Sequence, residues 1–246
     1  MAAIRHLAKA PIVEALIDFR TVEPEEGIEE RLRGVAAVLR AKYPKQEDRR
    51  GRRTQFQISS EGSASTDQDL GFVGLLLTSG DGKQLVQLRS DGFTFNRLSP
   101  YTSWDDIYPQ TMEAWKFYHA ALGNPRITRV AVRYVNVVEL ADGNALTAGF
   151  RLLPQIPDEF PTPVRGLGFR LVVDGESTGS FANIGAELQP GSLEGSVRLV
   201  LDIDAYWADP LADGVAEIDE RLSELRSLKN RIFFASFDEA LLGSLE

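Results

Sequence analysis

Residues 127–140 read ITRVAVRYVNVVEL, and the alternation in this stretch decides how the rest of the chain is read. Successive side chains of a strand point to opposite faces. Val130, Val132, Tyr134, Asn136 and Val138 therefore share one face, while Arg129, Ala131, Arg133, Val135 and Val137 share the other. Both faces mix apolar bulk with polar groups. A strand that is apolar on both sides is covered on both sides, and arginines set beside alanine and valine need carboxylates or carbonyls to meet them. The stretch is expected to be a central strand with acidic partners on its neighbours.

Two other stretches offer such partners. In residues 199–204, LVLDID, alternation puts Val200, Asp202 and Asp204 on one face and Leu199, Leu201 and Ile203 on the other. In residues 11–22, PIVEALIDFRTV, the residues Leu16, Asp18 and Arg20 lie opposite Ala15, Ile17 and Phe19. If these faces coincide, Arg129, Arg133, Asp202 and Asp204 form a cluster, with Asp18 or Arg20 beside it. One reading is an ion-pair network that holds the sheet. The other is the polar floor of a ligand site, in which the arginines grip a carboxylate or phosphate bidentately and an acid remains for proton transfer. Asn136 joins these four as a ligand-binding candidate.

The remaining elements follow from periodicity. Ile28, Leu32, Val35, Val38 and Leu39 predict a helix over 27–42, which Pro44 stops. A polar loop through Arg53 is expected next, and 61–69, EGSASTDQD, has the composition of a mobile loop. Strands are expected at 54–59, 72–78, 85–88 and 93–98, the last two joined at Ser90-Asp91-Gly92. Ser103 is placed as the N-cap of a helix whose apolar stripe includes Trp104, Ile107, Tyr108, Trp115 and Tyr118. A short helix within 142–156, strands at 166–173, 180–188 and 196–204, and a long helix through Val215, Ile218, Leu222, Leu225, Leu228 and Ile232 complete the chain.

The implied architecture is one unit spanning 1–246, of α+β class, with a largely antiparallel curved sheet and helices packed on one face. The order strand, helix, strands, helix occurs twice, which suggests pseudo-repeats at 1–125 and 126–246. That order is similar to the TATA-binding-protein-like topology, a likeness that imports no function.

Composition narrows the function classes. The net charge is −9, from 27 basic and 36 acidic residues, and an acidic chain repels phosphate backbones. The one basic run is Lys42, Lys45, Arg49, Arg50, Arg52 and Arg53, read first as a solvated connection and second as an anion or nucleic-acid site. Cysteine is absent, which removes thiolate nucleophiles and suits a reducing cytosol. No apolar run approaches the roughly 20 residues of a membrane-spanning helix, so a soluble, cytoplasmic protein without a membrane partner is expected. Gly175-Glu176-Ser177-Thr178-Gly179 matches G-x-S-x-G but sits between two predicted strands, and both histidines, His6 and His119, precede it, so it reads as a turn. No metal and no cofactor is expected.

Four stretches together resemble a known family: P-I-V-E-A at 11–15, S-P-Y-x-S-W at 99–104, R-x-x-x-R-Y-x-N at 129–136, and L-x-x-L-x-x-x-x-F-F at 225–234. The family is a sporadically distributed set of uncharacterised prokaryotic proteins of about this length. The resemblance implies a single full-length prokaryotic unit, and sporadic distribution suits an accessory or defence-linked role. It supplies no catalytic residues.

The expected function is a non-catalytic binding protein for a small anionic ligand or a partner protein. An enzyme with Asp202 or Asp204 as general base and Arg129 or Arg133 as anion stabiliser is the second reading. Nucleic-acid binding through 42–53 is the third. Phe233, Phe234 and Phe237 either finish the core or form a partner or dimer surface.

Overall fold

Strand pairing carries the architecture of the computed structural model, which describes residues 7–22, 27–59, 62–154, 157, 159, 166–211 and 215–246, leaving the side chains of 53–59, 62–67, 144, 215 and 216 undescribed. In chain order the elements are β1 (Ile12–Thr21), α1 (Ile28–Leu39), β2 (Lys45–Ser59), β3 (Gly62–Thr78), β4 (Gln84–Arg89), β5 (Gly92–Leu98) and α2 (Trp104–Ala121). They continue as β6 (Ile127–Leu140), α3 (Gly143–Gly149), β7 (Leu167–Asp174), β8 (Ser180–Pro190), β9 (Val197–Trp207), α4 (Val215–Ala235) and α5 (Glu239–Ser244). The strands form one open antiparallel sheet in the order β2-β3-β4-β5-β1-β6-β9-β8-β7. The stretch read first as a central strand is an inner strand next to the middle one, between β1 and β9.

One face of the sheet is the core. Ala15, Ile17 and Phe19 of β1, Val130, Val132 and Tyr134 of β6, and Leu201, Ile203 and Ala205 of β9 are all buried. Helix α2 covers part of this face: Trp115 stacks on Phe19 at 4.3 Å between ring centroids, and Tyr118 meets Phe93 at 5.7 Å. The Ser103 Oγ accepts the Asp106 amide at 3.1 Å, the N-cap bond expected there. Helix α4 packs over β6 and β9, and its stripe Ile218, Leu222, Leu225 and Leu228 is buried. Phe233 and Phe237 are buried too, so these two rings finish the core and do not form an exposed partner surface.

The polar segments 45–53 and 62–69 are strands, which corrects the two loops expected there. β2 pairs with β3 along its whole length, whereas β4 pairs with β3 only at Gly74–Thr78, so the part of β3 that precedes Gly74 forms a two-stranded ribbon with β2. Backbone pairing satisfies amides and carbonyls whatever the side chains, so polarity alone did not exclude a strand. At the start of the ribbon Gly74 takes φ 152°, and a Cβ there would meet the Leu88 carbonyl oxygen at 2.2 Å. Only glycine fits that bulge without moving the backbone. No helix among the described residues is long and apolar enough to cross a membrane.

Candidate functional site

The face of the sheet opposite the core carries the charged cluster anticipated from alternation. β6 and β9 pair so that Arg133 lies opposite Asp204 and Val135 opposite Asp202. Arg129 grips both oxygens of Asp204, at 3.0 and 2.8 Å, and donates to Asp18 at 3.2 Å. Arg133 grips both oxygens of Asp202, at 2.8 and 2.5 Å. Asp18 is also met by Arg89 at 2.8 Å and by the Thr94 hydroxyl at 2.7 Å, and Arg20 approaches it at 3.4 Å. Burial pushes the Asp18 carboxyl up, but Arg89, Thr94 and Arg20 together hold it below its ordinary value. The network reaches β8, where the Asn183 amide donates to Asp204 at 3.3 Å.

Every guanidinium of this cluster therefore meets a carboxylate: Arg133 holds Asp202 bidentately through two nitrogens, and Arg129 bridges Asp204 and Asp18. The energetic weight is uneven. Asp18 is buried, whereas the Arg133 side chain is 45% exposed, and exposed ion pairs contribute roughly 0–1 kcal/mol. Arg133→Gln is expected to lower the unfolding free energy by less than about 1 kcal/mol, measured by urea denaturation at neutral pH. A larger loss would place this pair among the supports of the sheet centre.

Asn136 faces the other way. It is buried on the core side, and its Nδ2 donates to the carbonyls of Tyr134 and Leu201. There it lines a cavity of about 660 Å³ between the N-terminal segment 7–12, the β5–α2 connection 99–103 and helix α4. The bulge in β1 between Ile12 and Glu14 shapes one wall: Ser99 donates its amide to the Val13 carbonyl at 2.9 Å and Val137 donates to Pro11 at 2.8 Å. The Ser99–Pro100 bond is cis.

Two cations form the inner wall. Lys229 is 8% exposed, its Nζ 3.6 Å from the centroid of the Tyr134 ring and donating to Asn230 Oδ1 at 2.6 Å. Burial, with Arg226 close by, brings its ammonium down to about 7. Arg226 is half-buried, with its guanidinium 5.2 Å from the Trp104 ring centroid. Among the described residues neither cation pairs with a carboxylate. Above them Tyr101 and Tyr134 share a hydrogen bond of 3.3 Å between hydroxyls, and burial drives Tyr134 well above the ordinary tyrosine range. The rim carries one exposed cation and one exposed anion, Lys9 and Asp105.

Sequence reasoning passed over Lys229 and Arg226. The signal was present: Lys229 follows Leu225 by four positions and Leu222 by seven, which puts a lysine on the buried stripe of α4. The basic run fares differently. Arg49, Arg50 and Arg52 belong to β2, where Arg50 pairs with Asp69 at 3.4 Å, and the Arg53 side chain lies outside the described residues. Among the described residues no group of three His, Asp or Glu side chains is placed to hold a metal ion.

The four stretches on which the family resemblance rests all contribute to the cavity wall, through Pro11 and Ile12, Ser99 to Trp104, Asn136, and Arg226 to Phe234. No protein-family model matches the chain, and no curated protein matches it.

Proposed function

We propose that the protein binds a small anionic organic molecule in the cavity beneath α4, with Arg226 taking the anionic group, Lys229 beside it adding to the positive field, and Trp104, Phe233 and Phe234 packing on the remainder. One observation carries this reading: two cations without carboxylate partners among the described residues stand side by side in the wall of a cleft large enough for a ligand. Small-molecule sites are concave, mostly apolar, and fitted with few convergent polar groups. A cation kept away from water and from a carboxylate is unfavourable unless an anion arrives. In this reading the Arg129, Arg133, Asp202 and Asp204 cluster is scaffolding, because its charges are matched in pairs.

The same proposal extends to the architecture. Two pseudo-repeats in a TATA-binding-protein-like topology are supported by the sheet order, which reads β1, β5, β4, β3, β2 outward on one side and β6, β9, β8, β7 on the other, the first half carrying one strand more. Membership in the prokaryotic family and a cytoplasmic location are part of the reading, the second supported by the cysteine-free sequence.

Titration calorimetry with benzoate and phenyl phosphate tests the site. Arg226→Ala is expected to weaken binding at least about tenfold, equivalent to about 1.4 kcal/mol, while Arg170→Ala on the opposite sheet face leaves it unchanged. Binding that survives Arg226→Ala undiminished, or no binding of either anion, would sink the reading.

A further inference from the structure

We propose that Lys229 is a nucleophilic amine that condenses with the carbonyl group of an anionic aldehyde or ketone bound in the cavity. The inference rests on the anion-site reading and names the reactive class of ligand it would take. Its basis is geometric. The Lys229 side chain is buried, reaches the cavity wall, lies over the Tyr134 ring and has its neighbour on the helix face, Arg226, contributing a second positive charge. Burial and an adjacent cation both favour the neutral amine, the form whose nitrogen lone pair can attack.

The groups around the amine come from every wall. Tyr134 arrives from β6, Tyr101 from the β5–α2 connection, Asp105 from the first turn of α2, Lys9 from the N-terminal segment, and Arg226 and Asn230 from α4 itself. Asp105 and Lys9 are exposed on the rim, so among the described residues the only full charge on the inner wall besides Lys229 is that of Arg226. The shift of Lys229 to about 7 follows from this setting and leaves about half of the amine neutral at neutral pH.

The step balances without an oxidant or reductant. The lone pair of Nζ forms a bond to the carbonyl carbon as the C=O π bond breaks, and a proton passes from nitrogen to oxygen to give a carbinolamine. The hydroxyl then takes a proton and leaves as water while the nitrogen lone pair closes the C=N bond; the protonated imine so formed returns its N–H proton to solvent, and one molecule of water is released for each imine formed. Arg226 holds the anionic end of the ligand, which fixes the carbonyl beside Nζ and raises the effective concentration of the two reacting groups.

The test uses the full chain and 4-formylbenzoate, an aromatic aldehyde carrying a carboxylate, with cyanoborohydride to trap any imine and peptide mapping to locate it. An exposed lysine is almost wholly protonated at pH 7. Lys229 is therefore expected to be modified at least about 100-fold faster than the exposed Lys42, Lys45 and Lys116. Excess benzoate, which has no carbonyl able to condense, is expected to protect it. Modification of Lys229 no faster than these lysines overturns the proposal. If benzoate still binds in an Arg226-dependent way while Lys229 stays unmodified, the nucleophile is refuted and the anion site stands. If Lys229 is modified rapidly but Arg226→Ala changes neither its rate nor benzoate binding, the nucleophile stands and the anion reading falls.

Discussion

Replacing Lys229 with methionine is expected to stabilise the protein by about 1.5–4 kcal/mol at pH 6. The amine falls from the usual 10.5 to about 7 in the fold, a difference worth about 5 kcal/mol. Methionine fills a similar volume without a charge to bury. Against that gain stand the lost hydrogen bond to Asn230, roughly 0.5–1.5 kcal/mol, and the lost contact with the Tyr134 ring, roughly 0.5–2 kcal/mol. The sign with pH is definite. A lysine whose folded value is depressed destabilises the fold fully below about pH 7, where both states hold the proton. Between about 7 and 10.5 the unfolded chain binds the proton that the folded chain has released, so native stability rises with pH. The advantage of Lys229→Met is therefore greatest near pH 6 and shrinks toward pH 10. Urea denaturation of both proteins at pH 6, 8 and 10 measures this. A variant less stable than the parent at pH 6 would show that the lysine has a compensating partner and is not strained by burial. A stabilising substitution in a cavity wall is what a residue retained for function predicts.

Asp18→Asn is expected to cost about 3 kcal/mol at pH 7. Asp18 sits in the central strand β1, buried, and accepts from Arg89, Arg129 and Thr94 with Arg20 close by. Removing its charge leaves guanidinium groups facing one another in a poorly hydrated place, and breaking a buried pair costs roughly 3–5 kcal/mol. The lower end of that range applies because Arg129 keeps Asp204 and Arg20 and Arg89 keep Asp91. The Asp18 carboxyl is held below its usual 3.8, so its contribution is present above that value and is lost as pH falls through the folded value. The difference between parent and Asp18→Asn should therefore narrow in acid, as urea denaturation at pH 7 and at pH 3 would show. A loss that is the same at both values would mean that packing, and not charge, is at stake.

The contrast between these two sites shows how far residues could be read in advance. Arg129, Arg133, Asp202 and Asp204 were legible as a cluster because strand alternation is a local rule, and Asp18 was legible as a neighbour for the same reason. Their pairing was not. Which aspartate meets which arginine depends on the register of β6 against β9 and β1, and a slip of one residue would send every side chain to the other face. The segments 45–53 and 62–69 read as loops in the sequence because their polarity matches solvent-exposed turns, whereas a ribbon paired along its length needs no apolar side chains to hold its backbone. Alternation already puts Asn136 on the face opposite the arginines; that this face holds a cavity there was not legible, because its other walls come from distant segments.

Alternation in 127–140, helical spacing in 103–122 and 215–235, and the Ser103 cap depend on residues a few positions apart, so the amino-acid sequence by itself determined the central strand, the main helices and the α+β class. The cavity was decided only by the tertiary structure. Its walls come from the N-terminal segment, the β5–α2 connection, β6 and α4, and it is the desolvation they impose together that turns Lys229 from an ordinary ammonium on a helix into a group poised between its charged and neutral forms.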